Sequence, residues 1–362
     1  MRLLVDMHCF DLKTSEGINT YLRGIYAEFV EIASDVEFFF VARDIQKLKE
    51  IFGEHPNVTY VALTSENRFY RLLFEFPAII KRHKIDYAHF QYTTPLIKNC
   101  KTIVTLHDIL FLDYPQYFPL LYRLVKGALF RLSAKRADLL LTVSEYSKVQ
   151  IAKHFGISEQ KIHITNNAVS DQFAKTDLAE AEAFVRSEGV SKYLLYVSRF
   201  EPRKNHLRVL KSYVQLRLWE RGVSLVFIGK QTIEIPDFDR YLGSLPEDVR
   251  GHIRIYNQTS YSELLMWYRA ATLFVYPSLA EGFGIPPLEA AVAGVPTICS
   301  NRTAMSEFRF FGEGHIDTED ENLLNGLIIK SLSNSGRCDI SQEVLATYNW
   351  HLSATILRGL LS

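Results

Sequence analysis

The chain has 362 residues, of which 48% are apolar and 23% charged, and its 41 basic and 41 acidic residues give a formal net charge of zero. This length exceeds one ordinary hydrophobic core and predicts two domains of about 150–190 residues each. The balanced charge argues against a nucleic-acid partner, and no apolar run reaches the roughly 18–20 residues of a transmembrane helix.

The chain contains four cysteines, Cys9, Cys100, Cys299 and Cys338, with no Cys-x-x-Cys pair among them. Cys9 and Cys299 lie in or beside apolar, strand-like segments, so we predict reduced structural thiols in a cytoplasmic protein. The N-terminal "MRLLVDMHCF" is a short apolar run followed by polar residues, which is typical of a first strand and not of a signal peptide.

Short β-rich runs alternate with longer helical patterns. The predicted strands of the first half are 2–7, 36–42, 58–63, 85–90, 102–106 and 138–143. Those of the second half are 193–198, 224–229, 252–256, 272–277 and 295–300. The predicted helices include 19–33, 145–154, 205–221, 261–270 and 287–293. Nearly continuous apolar strands that alternate with helices indicate doubly wound parallel sheets, covered on both faces.

This pattern runs twice, so the predicted fold class is α/β with two Rossmann-like doubly wound parallel-sheet domains facing across a cleft. A polar segment near 170–192 separates them. We therefore predict an N-terminal domain over 1–172, a C-terminal domain over 173–345 and a closing helix over 346–362. Ligands of such sheets bind outside the carboxyl ends of the strands, so the cleft is the expected site.

Residues 68–136 hold twelve Lys and Arg against four acids, a local excess of eight positive charges. Such a field attracts phosphate or an anionic membrane surface, although a solvated face explains it equally well. Within this segment, "FPLLYRLVKGALFRL" (118–132) has apolar residues at helical spacing with Arg123 and Lys126 opposite. This pattern suits an interfacial helix, and an ordinary amphipathic core helix is the slightly favoured alternative.

The stretch "PSLAEGFGIPPLEAAVAGVPTICSN" (277–301) contains Glu281 and Glu289 with seven residues between them. We predict that a helix begins at its paired prolines and that Gly294 ends it, with Glu281 on the preceding loop and Glu289 in the first turn. Gly282 and Gly284 allow close backbone approach, the helix N-terminus favours phosphate, and carboxylates accept from sugar hydroxyls. These features predict a phosphorylated sugar ligand. In the plainer alternative, Glu289 only complements the helix dipole.

Two further motifs follow predicted strands. "VSRFEPRKN" (197–205) carries Arg199 and Lys204, two cations that suit a diphosphate, and we expect Arg203 to face solvent. "TIVTLHDILFLDYP" (102–115) carries His107 at a strand end, with Asp108 able to orient the ring or the loop. Taken alone, Arg199 and Lys204 are better explained as surface charges on a loop, and a lone histidine is usually structural.

The segment "EGFGIPPLEAAVAGVP" resembles the Glu-x7-Glu signature of glycosyltransferase family 4, a group of retaining, GT-B-fold enzymes that use nucleotide sugars. Other segments follow the family's order along nearly the whole chain. The resemblance implies that the N-terminal domain, 1–172, binds the acceptor and that the C-terminal domain, 173–345, binds the nucleotide sugar. The resemblance implies catalytic roles for His107, Glu281, Arg199 and Lys204, with the Arg–Lys pair on the donor diphosphate. It also implies that donor-binding groups are Gly17, Gly282, Phe283, Gly284, Ile285, Glu289 and Ser144.

Gly17 lies in a segment that differs from the family pattern, and Ser144 has a structural role as well. The family usually has two glycines where "SEGINTYLRGIY" (15–26) has Glu16 and Gly17, so close backbone approach is expected at Gly17 alone, beside a helix start at Asn19–Thr20. Ser144 in "LTVSEYSK" (141–148) resembles the family's Val-Ser-x-Tyr-Ser segment, and we expect mainly a helix cap near the cleft.

The implied activity is a glycosyl transfer that needs no metal and no cofactor beyond the nucleotide-sugar donor, since no Asp-x-Asp motif occurs. "LHDILFLDYPQYF" and "RFEPRKNHLRVL" look most like bacterial mannosyltransferases that build O-antigen or capsule chains, which favours GDP-mannose. GDP-fucose, UDP-glucose or a UDP-hexosamine remain alternatives. The expected acceptor is a glycan or a lipid-diphosphate-linked glycan, at the inner face of the cytoplasmic membrane. A sugar-nucleotide 2-epimerase and a non-catalytic glycan-binding scaffold are the competing functions.

Overall fold

The computed structural model describes residues 1–12, 16–231, 233–334, 336–337 and 339–361. The chain forms two compact units: the first comprises Met1–Ala168 and the residues from Asn349 onward, and the second comprises Val169–Tyr348. The C-terminal helix, expected from sequence to close the chain as a separate element, belongs to the first unit. Its Trp350 ring lies directly against Gly24, where an added Cβ would come within 2.1 Å of Trp350 Cε2.

All strands in the described residues are parallel to their neighbours. Those of the first unit are β1 (Arg2–Asp6), β2 (Glu37–Ala42), β3 (Val58–Ala62), β4 (Tyr87–Gln91), β5 (Lys101–Thr105), β6 (Leu139–Thr142) and β7 (Ile162–Ile164). Those of the second are β8 (Lys192–Val197), β9 (Val223–Ile228), β10 (Ile253–Tyr256), β11 (Leu273–Tyr276), β12 (Thr297–Ser300) and β13 (His315–Ile316).

The strand orders are β3-β2-β1-β4-β5-β6-β7 and β10-β9-β8-β11-β12-β13. In each sheet the order reverses once, between β1 and β4 and between β8 and β11, which is the arrangement of a doubly wound fold. The central strands are buried along almost their whole length, as their apolar sequences predict. The predicted fold class of two Rossmann-like parallel-sheet domains is thus confirmed.

Helices connect the strands. The α-helices of the described residues are α1 (Glu16–Ile32), α2 (Ile45–Phe52), α3 (Arg68–Tyr70), α4 (Phe76–His83), α5 (Leu110–Asp113), α6 (Leu120–Arg136), α7 (Glu145–Phe155), α8 (Gln172–Lys175), α9 (Leu178–Ser187), α10 (His206–Gln215), α11 (Pro236–Ser244), α12 (Glu247–Arg250), α13 (Tyr261–Ala270), α14 (Ile285–Val292), α15 (Glu321–Ser333), α16 (Ser341–Thr347) and α17 (Trp350–Leu360). A π-helical turn, Arg71–Glu75, joins α3 to α4. The 3₁₀ turns are His8–Asp11, Pro115–Tyr117, Glu159–Lys161, Pro202–Lys204, Leu218–Arg221, Thr303–Glu307 and Arg309–Gly314.

Three of the cysteines are free thiols in the structure, and Cys338 lies outside the described residues. Cys9 and Cys299 are buried, and burial raises the pKa of both thiols. Among the helices of the described residues, none combines the length and the apolar composition needed to cross a bilayer.

Candidate active site

The switch point of the second unit lies between β8 and β11, and the loops that follow these two strands form the usual ligand site of such a sheet. The loop after β8 contains Arg199 and ends in the 3₁₀ turn Pro202–Lys204, and the loop after β11 contains Glu281. Lys204 and Glu281 are 77 residues apart in sequence. The fold brings them together because the carboxyl ends of neighbouring parallel strands lie at the same edge of the sheet.

Lys204 and Glu281 form a buried ion pair. Lys204 Nζ lies 2.5 Å from Glu281 Oε1, and the Tyr276 hydroxyl donates to the same oxygen at 2.7 Å. Glu281 is only 6% exposed, and its backbone N–H donates to Thr303 Oγ1 at 2.9 Å. The carboxylate is therefore held in one orientation by side chains from both loops.

Arg203 is part of the same cluster. Its Nη1 lies 3.2 Å from Glu281 Oε2 and donates to the Ala280 carbonyl at 2.6 Å, while its Nη2 lies 2.8 Å from Glu201. Arg199 pairs with the other oxygen of Glu201 at 3.0 Å. The expectation that Arg203 faces solvent is wrong, because two flanking carboxylates and a carbonyl compensate the burial of its guanidinium. Its position beside Lys204 in a tight turn was the available sequence signal.

The charges of this cluster favour an anionic ligand. Burial raises the pKa of Glu281, but the cations of Lys204 and Arg203 outweigh it and lower this pKa to about 2. Arg199, Arg203 and Lys204 face two carboxylates, so one positive charge is in excess. The Arg199 side chain, 37% exposed, is the most accessible of the three cations.

The loop from Glu281 to α14 comes close to its neighbours. Gly284 has φ +103°, and an added Cβ there would lie 2.9 Å from Met305 Cγ, so this position requires glycine. The Phe283 ring is buried and packs edge-on against Tyr348 at a centroid distance of 5.5 Å. The ring thus anchors the loop, and the donor-binding role predicted for Phe283 and Gly284 stays a prediction.

Backbone strain surrounds the ion pair. Thr303, which accepts the Glu281 N–H, has φ +54°, a rare conformation for a β-branched residue. Asn205, directly after Lys204, has φ +59°, and its side-chain amide donates to the Pro277 carbonyl at 3.4 Å. Strained residues of this kind concentrate at functional sites, where the surrounding structure holds them.

Helix α14 begins at Ile285, and its N-cap Gly284 offers no side-chain cap to the amides of the first turn. Pro286 and Pro287 both lie in that first turn, where proline is tolerated because the backbone N–H groups there have no intrahelical partner. The helix therefore begins one residue before the first of the two prolines. Glu289 is consequently the fifth helical residue, and its predicted place in the first turn is wrong.

Glu289 is half-buried, and its Oε2 accepts from the Tyr268 hydroxyl at 2.7 Å. Burial raises the pKa of Glu289 to about 7, although the bond from Tyr268 opposes this shift. Glu281 and Glu289 therefore differ in charge behaviour: one is fully ionised at neutral pH, and the other titrates there.

In the first unit, His107 follows β5 and is 7% exposed. Its Nε2 lies 2.8 Å from Gln91 Oε1, which only accepts, so Nε2 carries the proton. Burial lowers the pKa of His107 to about 3. His107 is thus a neutral, fixed ring at neutral pH. Asp108 accepts the Leu110 N–H at 3.1 Å and so orients the loop.

Gln91 links His107 to a second buried histidine. The Gln91 amide nitrogen lies 3.2 Å from His89 Nε2, and His89 Nδ1 lies 2.6 Å from the Tyr26 hydroxyl. Burial lowers the pKa of His89 to about 3 as well, so this chain of hydrogen bonds is uncharged. Nothing in the sequence around Gln91 marked it as the partner of His107.

Gly17 and Ser144 also lie in the first unit. Helix α1 already includes Gly17 in its first turn, so the predicted helix start at Asn19–Thr20 is wrong. An added Cβ at Gly17 would meet no atom of the other described residues within 4 Å. Ser144 is the N-cap of α7, its Oγ accepting the Ser147 N–H at 3.1 Å, and this confirms the predicted cap. Its contact with a donor stays a prediction.

The second unit therefore brings Glu281 and Lys204 together, as the motifs predicted. Arg203, Glu201 and Tyr276 belong to the same cluster and were not predicted. Among the described residues, Glu289 makes no hydrogen bond or ion pair with this cluster and is held by Tyr268. Within the described ranges, no group of three His, Cys, Asp or Glu side chains is arranged to hold a metal ion.

Two family models cover most of the chain: "Glycosyltransferase Family 4" matches residues 15–173, and "Glycosyl transferases group 1" matches residues 180–343. The O-antigen chain mannosyltransferase B of Escherichia coli is 28% identical over 370 residues, with 90% of this chain and 91% of that protein covered. The O-antigen chain mannosyltransferase RfbU of Salmonella typhimurium is 29% identical over 230 residues, covering 64% of this chain and 60% of that protein.

Among solved structures, Anabaena HepE in complex with UDP and glucose aligns with 100% of this chain and 99% of its own, with a TM-score of 0.73. Its sequence identity of 15% means that this likeness concerns the fold alone. The two parallel sheets and the ordered matches of both family models agree with each other. The chain thus belongs to the family 4 glycosyltransferases of GT-B fold and is a glycosyltransferase close to the O-antigen mannosyltransferases.

Proposed function

We propose that this glycosyltransferase moves mannose from GDP-mannose to a glycan or lipid-linked glycan acceptor during O-antigen synthesis in the cytoplasm. The similarity to mannosyltransferase B over 90% of this chain supports the sugar. The observation that carries the chemistry is the cluster of Lys204, Arg203 and Glu281 at the switch point of the second sheet, with Arg199 beside it.

In this proposal the donor diphosphate lies against Arg199 and Lys204, near the first-turn amides of α14. As the bond between the sugar C1 and the diphosphate breaks, negative charge grows on the departing phosphate oxygen. Cations already fixed in the protein stabilise that charge with little reorganisation. A new bond forms between C1 and the acceptor oxygen, and the departing phosphate takes the acceptor's proton on the same face, which retains the anomeric configuration.

Glu281 acts as a hydrogen-bond acceptor for a donor-sugar hydroxyl, together with the backbone of Gly282, Phe283 and Gly284. A carboxylate with a pKa of about 2 is a weak base, and its pairing with Lys204 leaves it poorly suited to attack carbon. The amide of Ile285 contributes at the helix end. Glu289 accepts from the ribose hydroxyls, for which its ionised form is the better acceptor.

We also propose that the transfer needs no divalent metal, because the fixed cations supply the positive charge. Turnover should be unchanged after dialysis against EDTA, measured before and after return of magnesium or manganese. Activity that disappears with EDTA and returns with the metal would refute this part.

The donor is tested by a thermal-shift panel of GDP-, UDP-, ADP- and dTDP-sugars, followed by transfer of labelled sugar to an acceptor. We expect GDP-mannose to raise the unfolding temperature most, and Lys204→Ala to abolish that rise. Stabilisation by a UDP-sugar instead would identify the alternative donor. Donor alone converted to an epimerised sugar would indicate a 2-epimerase, and no donor hydrolysis above background would indicate a scaffold.

Contact with an anionic membrane is a further part of the proposal. Helix α6 exposes large apolar side chains, with Leu121 73% and Leu124 63% exposed, which an ordinary core helix would bury. The segment 68–136 around it carries the excess of basic residues. Apolar side chains that enter the interface and cations that attract anionic headgroups are the two requirements for peripheral binding.

Vesicle flotation tests this contact. The wild-type protein should float with vesicles that contain phosphatidylglycerol and much less with phosphatidylcholine alone. Leu121→Glu combined with Leu124→Glu should abolish flotation, whereas Leu323→Glu, an exposed leucine of the second unit, should not. Equal flotation of both variants would refute a role for α6.

A further inference from the structure

Glu201 bridges two arginines in the loop after β8 of the second unit. Its Oε1 lies 3.0 Å from Arg199 Nη2, and its Oε2 lies 2.8 Å from Arg203 Nη2. The Glu201 side chain is only 14% exposed. Each oxygen of this carboxylate is thus paired with a different guanidinium, and one of the two, Arg199, is a cation expected to bind the donor diphosphate.

The two arginines differ in how firmly the protein holds them. Arg203 is 12% exposed and has two further partners, Glu281 at 3.2 Å and the Ala280 carbonyl at 2.6 Å. Arg199 is 37% exposed, and in the described part of the chain its only ion pair is the one with Glu201. A partly exposed pair of this kind costs little to separate. Arg199 can therefore leave Glu201, while Arg203 keeps Glu201 in place.

A diphosphate offers Arg199 the same kind of partner as Glu201 does. Phosphate and carboxylate oxygens both accept parallel hydrogen bonds from a guanidinium. A diphosphate bound at Arg199 therefore competes with Glu201 for the same N–H groups, and the negative charge of Glu201 also repels the phosphates. Since Arg203 fixes the orientation of Glu201, the carboxylate stays where it can pair with Arg199 again.

This competition matters most at the end of the reaction. In the proposed transfer the terminal phosphate of the leaving nucleoside diphosphate takes the proton of the acceptor. It releases that proton at neutral pH, because the second pKa of a phosphate monoester is about 6. The product then carries one more negative charge than the diphosphate of the donor, so a cationic site holds it more tightly. Product release limits the turnover of many enzymes.

We propose that Glu201 is a positioning residue that holds Arg199 at the diphosphate site before the donor binds and pairs with it again as the nucleoside diphosphate leaves, which speeds product release. This inference rests on the proposed placement of the donor diphosphate against Arg199 and Lys204. The identity of the base, the sugar and the acceptor does not affect it.

Titration calorimetry tests the competition directly. The probes are inorganic pyrophosphate, GDP and UDP, with guanosine and uridine as uncharged references. Glu201→Gln keeps the size of the side chain and an oxygen that accepts from Arg203. It should tighten binding of pyrophosphate and of the nucleoside diphosphate that the wild type prefers about fivefold, the value of a partly exposed ion pair, and leave the nucleosides within about twofold. Glu321→Gln, which removes the partner of Arg208 at 2.7 Å, is the control and should leave every affinity unchanged.

Two further measurements separate this role from a merely structural one. With an active donor, kcat and donor KM should fall together in Glu201→Gln, and product inhibition by the nucleoside diphosphate should strengthen. A structural defect lowers kcat without tightening any ligand. In an Arg199→Gln background, Glu201→Gln should change diphosphate affinity less than about twofold, because the competition acts through Arg199.

Unchanged or weaker diphosphate binding in Glu201→Gln would overturn the proposal, and so would an equal gain with and without Arg199, since a general field effect explains that result. If Glu201→Gln fails to fold, Glu201→Asp keeps the charge beside Arg203 but is too short to reach both arginines, and it should tighten diphosphate binding in the same direction. A wild type that binds no diphosphate would refute the proposed donor site as well, whereas binding without a gain in the variants refutes this inference alone.

Discussion

Removal of both members of the buried Lys204–Glu281 pair should destabilise the protein by less than the sum of the two single losses. The surrounding charges lower the pKa of Glu281 from 4.5 to about 2. At about 1.4 kcal/mol per pH unit, this difference is worth about 3 kcal/mol of stability at neutral pH. Lys204→Met keeps the side-chain length but removes the charge. Since Arg203 still pairs with the carboxylate, we expect a loss of about 2–3 kcal/mol.

The double variant Lys204→Met, Glu281→Gln should be more stable than the sum of the two single losses by about 2 kcal/mol, because neither charge is left buried alone. Hydrogen exchange of the β11 amides measures this, as it reports the opening of the second unit. The exposed pair Arg240–Asp237 of the same unit is the control, with an expected coupling below about 0.5 kcal/mol. Additive losses at Lys204 and Glu281 would refute the reasoning.

The sign of the pH dependence follows from the same pair. The folded pKa of Glu281 is lowered, so its contribution to stability is present above pH 4.5 and is lost as the pH falls toward about 2. Lys204→Met should move this loss to higher pH. Turnover should fall by orders of magnitude in both single variants and in the double variant. The double variant regains part of the stability, but it still lacks the Lys204 charge that faces the diphosphate.

Three further predictions concern single residues. His107→Ala should lower turnover about 10²–10³-fold with folding intact, as loss of one preorganised contact does, and Gln91→Glu should introduce a pH dependence by raising the pKa of His107. Gly284→Ala should destabilise the protein by about 1–3 kcal/mol, measured as a shift in unfolding temperature, because it combines positive φ with a 2.9 Å approach to Met305. Since the pKa of Glu289 is raised to about 7, donor KM should rise as the pH falls below 7, and Glu289→Gln should remove this dependence.

The predictions at Gly284 and Glu289 each have a further check. Gly326→Ala, in an exposed and open position of α15, should be neutral or slightly stabilising, and equal losses at both glycines would contradict the steric argument. The raised pKa of Glu289 also means that its contribution to stability falls as the pH rises from 4.5 to 7, and Glu289→Gln should abolish this slope. A pH profile of donor KM that is unchanged in Glu289→Gln would refute the role of its ionisation.

The positions of most strands along the chain could be predicted because buried parallel strands are apolar along their whole length. Two strands were missed, Ile162–Ile164 and His315–Ile316, since two or three residues are too few to form a hydrophobic pattern. The helix predicted over 205–221 ends at Gln215 instead, and Arg217, with φ +50°, breaks it before a 3₁₀ turn. The spacing of apolar residues predicts that the segment is helical, but it does not show where a single residue with positive φ ends the helix.

The site was predictable in part. Motifs located Glu281 and Lys204. Of the partners that hold them, Arg203 was marked only by its position beside Lys204, and Tyr276 carries no sequence signal. A carboxylate buried beside Lys204 needs further hydrogen-bond donors. Only the fold determines which side chains lie close enough to supply them.

The switch points of the two sheets explain why side chains that lie close together in the fold are far apart in the sequence. A parallel strand needs a crossover before its neighbour, so two loops that meet at the switch point are always far apart in sequence. In the second sheet these loops carry Lys204 and Glu281, and in the first sheet His8 follows β1 and Tyr92 follows β4. Neither loop needs a ladder hydrogen bond there, so both can carry charged and strained residues that a strand interior would exclude. The positive φ of Tyr92 and of Asn205 in these loops follows from that freedom.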